Sequence, residues 1–183
     1  MKSVIRPLQL ALLLLLTFTA ALTQAQSAYQ VEVVIFTQPS AQITGGSPPG
    51  FNWADQAIDL DSTARSDVRR LDSSRHSLGS DASKLSAQGY QVLLHQAWVQ
   101  PEDASLAVAV HEGQEFDSQY PVQALVSLGR ERLLEVDVSA WINSETASGV
   151  VTDQLRQKRR LRLNETHYLD HQSMGMLIRV SRS

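Results

Sequence analysis

Residues 90–140, YQVLLHQAWVQPEDASLAVAVHEGQEFDSQYPVQALVSLGRERLLEVDVSA, decide the fold class. Tyr90 to Val99 is dense in branched and aromatic side chains and closes on Gln100-Pro101-Glu102-Asp103, a turn composition. Leu106, Val108 and Val110 then recur at every second position, as do Leu134, Val136, Val138 and Ala140 against Glu135, Asp137 and Ser139. That period belongs to strands with a buried and an exposed face. Gly129-Arg130-Glu131 separates Val122–Leu128 from the second alternating run, so those two segments predict a hairpin.

Working outward, Tyr29 to Phe36 (YQVEVVIF) reads as a further buried strand. Leu155 to Tyr168 reads as one long polar strand, which Asp170 to Ser173 turns into Met174–Val180. From Tyr90 onward, about six strands joined by short turns predict a mainly β chain, an antiparallel meander sheet or sandwich, and rule against a parallel nucleotide-binding fold. One short helix is signalled: Ser80 as cap, Asp81 at the positive end, Lys84 to Gln88 continuing, Gly89 closing. The stretch 38–79 contains Gly45-Gly46-Ser47-Pro48-Pro49-Gly50 and reads as a long flexible loop after the first strand, with Phe51 and Trp53 pinning it to the sheet.

The chain has 183 residues, 43% hydrophobic and 19% charged, which excludes extended disorder, and no cysteine, which excludes thiol catalysis, Cys-liganded zinc and iron–sulfur clusters. Lys2 and Arg6 precede the apolar run Leu8–Leu22, and Thr23-Gln24-Ala25 follows, so residues 1–25 read as a signal peptide cleaved after Ala25. The competing reading, an uncleaved anchor, needs about 20 apolar residues and the run is shorter. Residues 26–183 then form a single domain with no stable membrane span. They carry 14 basic against 19 acidic residues, a net charge of −5. The imbalance is local: 26–153 hold 7 Lys and Arg against 17 Asp and Glu, whereas 154–183 hold 7 against only Glu165 and Asp170. An acidic exported protein is not expected to bind nucleic acid, but a basic tail gathered on one side can attract another anionic polymer.

No nucleophile elbow, P-loop or dinucleotide fingerprint is present, so no catalytic residue and no cofactor is assigned. His167-Tyr168-Leu169-Asp170-His171 offers two imidazoles and a carboxylate that a turn could bring onto a metal or a hydrolytic water. The plainer reading is a polar strand end bonded locally and free of metal. In Arg156-Gln157-Lys158-Arg159-Arg160-Leu161-Arg162-Leu163, strand geometry places Arg156, Lys158, Arg160 and Arg162 on one face and Leu161 and Leu163 on the other. Such a stripe suits carboxylates or phosphates, including the carboxylates of peptidoglycan stem peptides; equally, it protects a strand edge and keeps it soluble. Trp98, Trp141 and Tyr168 could stack on sugar rings, though large aromatics in strands are more often core.

Three blocks resemble the CsiV family of bacterial peptidoglycan-binding proteins. They are Tyr29–Phe36, the run Gly89-Tyr90-Gln91-Val92-Leu93-Leu94-His95-Gln96-Ala97-Trp98-Val99-Gln100-Pro101, and His167–His171 followed by Gly175-Met176-Leu177-Ile178. They keep their order across almost the whole exported chain; Gln172 stands where the family pattern tends to have Pro. The resemblance implies a periplasmic, non-enzymatic protein that binds peptidoglycan and supports wall assembly with a lipoprotein activator of a penicillin-binding synthase. Charge and exposure nominate Arg156, Lys158, Arg160, Arg162, Tyr168 and His171 as ligand-binding residues. The alternative is a metal-assisted peptidoglycan hydrolase using His167, Asp170 and His171, and a third reading is an envelope protein that contacts only other proteins.

Overall fold

The structure is a computed structural model that describes residues 27–39, 45–130 and 132–183. The leader expected over 1–25 lies outside the described residues. In chain order the elements are β1 (Ala28–Thr37), β2 (Ala57–Asp59), β3 (Arg69–Arg70), a 3-10 turn (Ser73–Arg75), α1 (Gly79–Ala87), β4 (Gln91–Pro101), β5 (Asp103–Glu112), β6 (Val122–Arg130), β7 (Leu134–Thr146), β8 (Gly149–Arg160), β9 (Thr166–Asp170) and β10 (Met174–Arg182). They form two five-stranded sheets, ordered β3-β4-β1-β10-β9 and β2-β5-β6-β7-β8. All pairings are antiparallel except β2 with β5.

One apolar core takes side chains from both sheets, which makes the molecule a sandwich. Val31, Val33 and Ile35 of β1, Trp98 of β4 and Met176 and Ile178 of β10 meet Val108 of β5, Val126 of β6 and Val136 and Val138 of β7. The opposite face of β1 is also covered: Val34 and Phe36 pack with Leu78 and Ala82 of the helical segment, and Leu85, Tyr90, Val92 and Leu177 complete that second cluster. Burial on both sides explains why YQVEVVIF is almost continuously apolar.

The meander expectation holds for β5 to β8 only. The chain changes sheet between β4 and β5, at Pro101–Asp103, and again between β8 and β9. The single strand expected over Leu155–Tyr168 is therefore two, because the backbone turns at 161–165, where Asn164 adopts φ 63°. The segment 45–79 is built into both sheets through β2 and β3, and buries Leu60, Val68, Leu71 and Leu78. Trp53 does contact Trp141 edge-on, at 6.1 Å between ring centroids, whereas Phe51 is 80% exposed.

Gly175 of β10 marks a tight spot. A Cβ there would lie 2.5 Å from Cζ of Phe36 and 2.8 Å from Cε2 of Tyr168, whose rings stack at 6.2 Å and 15°. Phe36 is buried and held edge-on by Tyr90, so its ring has little room to yield. Gly175→Ala is expected to destabilise the fold by about 1–3 kcal/mol through overpacking, read as a lower melting temperature.

Candidate functional site

β8 is the edge strand of the second sheet and β9 the edge strand of the first, and the two edges lie side by side. Leu155 enters the core, so its neighbours along β8 divide by parity. Gln157 and Arg159 reach across to β9: Gln157 Nε2 donates to the carbonyl of Asp170 (2.9 Å) and Arg159 Nη1 to that of Tyr168 (3.1 Å). Those carbonyls belong to an otherwise unpaired sheet edge. Arg156, Lys158 and Arg160 point away from the core and are exposed. Across β7 they face Ser139, Asp137 and Glu135 respectively.

The stripe read from the sequence is present, but it is not bare. Glu135 accepts an ion pair from Lys158 at 3.0 Å and a looser one from Arg160 at 3.9 Å. Arg162 lies beyond the strand end, in the turn, with a side chain 82% exposed and 3.8 Å from Glu165. The β6–β7 hairpin adds a cation that the sequence reading did not single out: Arg132 lines a pocket of about 360 Å³ together with Leu133, Glu135 and Arg160. Its neighbour Arg130 is engaged elsewhere, with Glu102 at 2.9 Å and with the Tyr29 hydroxyl. Arg132 could have been anticipated from hairpin pairing, since Arg130 is opposite Leu134 and Glu135 opposite Arg160, which brings the hairpin tip to the end of β8.

The remaining nominated residues sit apart from the stripe. Leu169 enters the core, so Tyr168 and Asp170 face outward on the first sheet, whereas Arg156, Lys158 and Arg160 face outward on the second. The Tyr168 hydroxyl donates to Asp170 Oδ1 at 2.7 Å, and its pKa is raised to about 12 by partial burial, by that hydrogen bond and by the Asp170 charge. His167 Nε2 accepts the Arg162 N–H at 3.1 Å, and His171 Nδ1 lies 3.1 Å from the Ser173 hydroxyl. His167, Asp170 and His171 thus have separate local partners and do not converge. Trp98 and Trp141 are buried; Trp98 Nε1 donates to Gln100 at 2.6 Å.

A different set of groups does converge. Glu32 of β1 is 1% exposed, and its carboxylate accepts the N–H groups of Ser77 (2.6 Å) and Leu78 (2.8 Å) and lies 2.8 Å from His95 Nε2. Desolvation pushes the Glu32 pKa up, but the hydrogen bonds from His95, Leu78 and Ser77 together outweigh it and hold the group below its ordinary value. The His76 ring lies 4.4 Å from that of His95, and desolvation, reinforced by His95, lowers its pKa. Glu32 also does the work expected of Ser80: α1 starts at Gly79 without a side-chain cap of its own, and the carboxylate of β1 binds the amides leading into it. Gly89 closes the helix as expected, at φ 88°. The sequence signal for this cluster was a lone carboxylate inside an apolar strand, since a buried charge requires partners.

A small β-sandwich with a cationic edge is the kind of surface on which binding modules hold anionic polymers. The chain belongs to the CsiV family of peptidoglycan-binding proteins, whose model matches residues 47–183. No curated protein and no solved structure matches it. Among the described residues no helix is long and apolar enough to cross a membrane.

Proposed function

We propose that the protein is exported to the periplasm, is cleaved after Ala25, and binds peptidoglycan non-enzymatically on the cationic edge formed by β8 and the β6–β7 hairpin. Family membership supports the ligand. The observation that carries the location is the outward face of β8, where Arg156, Lys158 and Arg160 project together, with Arg162 and Arg132 extending the charge past the strand end. Guanidinium forks there meet the carboxylates of stem peptides, while Tyr168 and His171 offer a secondary contact around the β9 corner. Bound in this way, the domain acts as an adaptor that presents the wall polymer to a lipoprotein activator of a penicillin-binding synthase.

Sedimentation with purified sacculi tests the reading. The protein is expected in the pellet at low salt and progressively in the supernatant as ionic strength rises through about 0.15 M, where screening acts over roughly 8 Å. Protein that stays in the supernatant at every salt concentration sinks the proposal. The adaptor role is checked separately by crosslinking in envelopes, where the lipoprotein activator should be recovered with the domain.

A further inference from the structure

The cluster of Glu32, His76 and His95 lies outside the cationic edge, and nothing in peptidoglycan binding uses it. We propose that these three side chains form a binding site for a divalent transition-metal ion of the zinc type, with the open coordination position facing solvent. One ligand atom from each of the three lies within 4.8 Å of the others, on three different parts of the chain: β1, the segment before α1, and β4. A pocket of about 370 Å³, lined by His76 and His95 with Arg70, Asp72 and Gln96, opens onto the two imidazoles.

The surroundings support the ligands as a metal site requires. Ser77 and Leu78 amides fix the Glu32 carboxylate, and the Leu71 carbonyl engages the His76 ring. Metal-bound imidazoles and carboxylates are ordinarily oriented by such outer partners. Two imidazoles and one carboxylate suit zinc and its neighbours better than magnesium or calcium, which prefer oxygen. With bonds of about 2.0–2.1 Å, tetrahedral ligands sit roughly 3.3 Å apart, so binding an ion opens the 2.8 Å contact between His95 and Glu32 by a few tenths of an ångström. The ion replaces the hydrogen bond they share, and His95 then binds through Nε2 as a neutral imidazole with its ring proton on Nδ1.

The test titrates tag-free, chelator-stripped protein with Zn²⁺ and, in parallel, with Co²⁺ and Mg²⁺. Wild type is expected to take up one equivalent of Zn²⁺, to give a tetrahedral visible spectrum with Co²⁺, to ignore Mg²⁺, and to melt at a higher temperature with Zn²⁺. His76→Ala leaves the bonds of Glu32 to His95 and to the backbone intact, so it should fold, yet weaken Zn²⁺ binding by about tenfold or more. His167→Ala, on β9, should bind as wild type. The proposal is overturned if wild type takes up no stoichiometric Zn²⁺ or Co²⁺, if Mg²⁺ binds equally well, or if folded His76→Ala binds as tightly as wild type.

Discussion

Glu32→Ala is expected to destabilise the protein by about 3–5 kcal/mol, because it leaves the buried Leu78 N–H, the partly buried Ser77 N–H and one imidazole without their acceptor. For a chain of this size that corresponds to a fall of roughly 10 °C in melting temperature. The loss should be concentrated where the carboxylate acts. It ties β1 to the amides entering α1, so α1 and the segment before it should lose amide-exchange protection before the β5–β8 sheet does. Glu32→Gln keeps one carbonyl acceptor but gives up the charge, and since charge-assisted bonds are about twice as strong as neutral ones, it should lose roughly half as much. Urea or thermal denaturation of chelator-treated samples measures both. A loss within about 0.5 kcal/mol, typical of a surface site, would mean that the carboxylate does not hold this junction.

The second large effect concerns the edge. Replacing Arg156, Lys158, Arg160 and Arg162 together by Gln should weaken sacculus binding by about tenfold or more at low salt, since exposed pairings of about 0.2–1 kcal/mol each add up across four positions. Any single replacement should change little. Glu135→Gln should act in the opposite direction: it removes a carboxylate that pairs with Lys158 and Arg160 and repels an anionic ligand, so binding should strengthen. A stripe that served only solubility would leave binding unmoved in both variants. Circular dichroism and melting curves confirm that each variant is folded, and co-sedimentation at several salt concentrations reads the result.

What could be read from the sequence follows from how far each feature reaches along the chain. The β6–β7 and β9–β10 hairpins were legible because alternation and turn residues are local, as at Gly129 or across Asp170–Ser173. The parity of Arg156, Lys158 and Arg160 was legible for the same reason. Periodicity says which side chains turn inward, but not which sheet a strand joins, so the crossings between sheets escaped it. β2 and β3, three and two residues long, are too short to show a period at all. The pairing of Glu135 with the stripe depends on register, and the cap on α1 on a contact between Glu32 and Leu78, 46 residues apart. Neither distance is written in composition or spacing.

The parity of β8 separates two kinds of genetic lesion within a handful of codons. Gln157 and Arg159 stitch β8 to the carbonyls of β9, so the two open margins of the sandwich seal one another and leave little backbone there for a foreign strand to join. A partner approaching this side must therefore read side chains rather than extend a sheet. Changes at 157 or 159 should unpick the seam and expose the protein to self-association, while changes at 156, 158 and 160 combined leave it monodisperse and weaken only its hold on the ligand. Alternating alleles along one strand would then sort wall-binding defects from folding defects in the living cell.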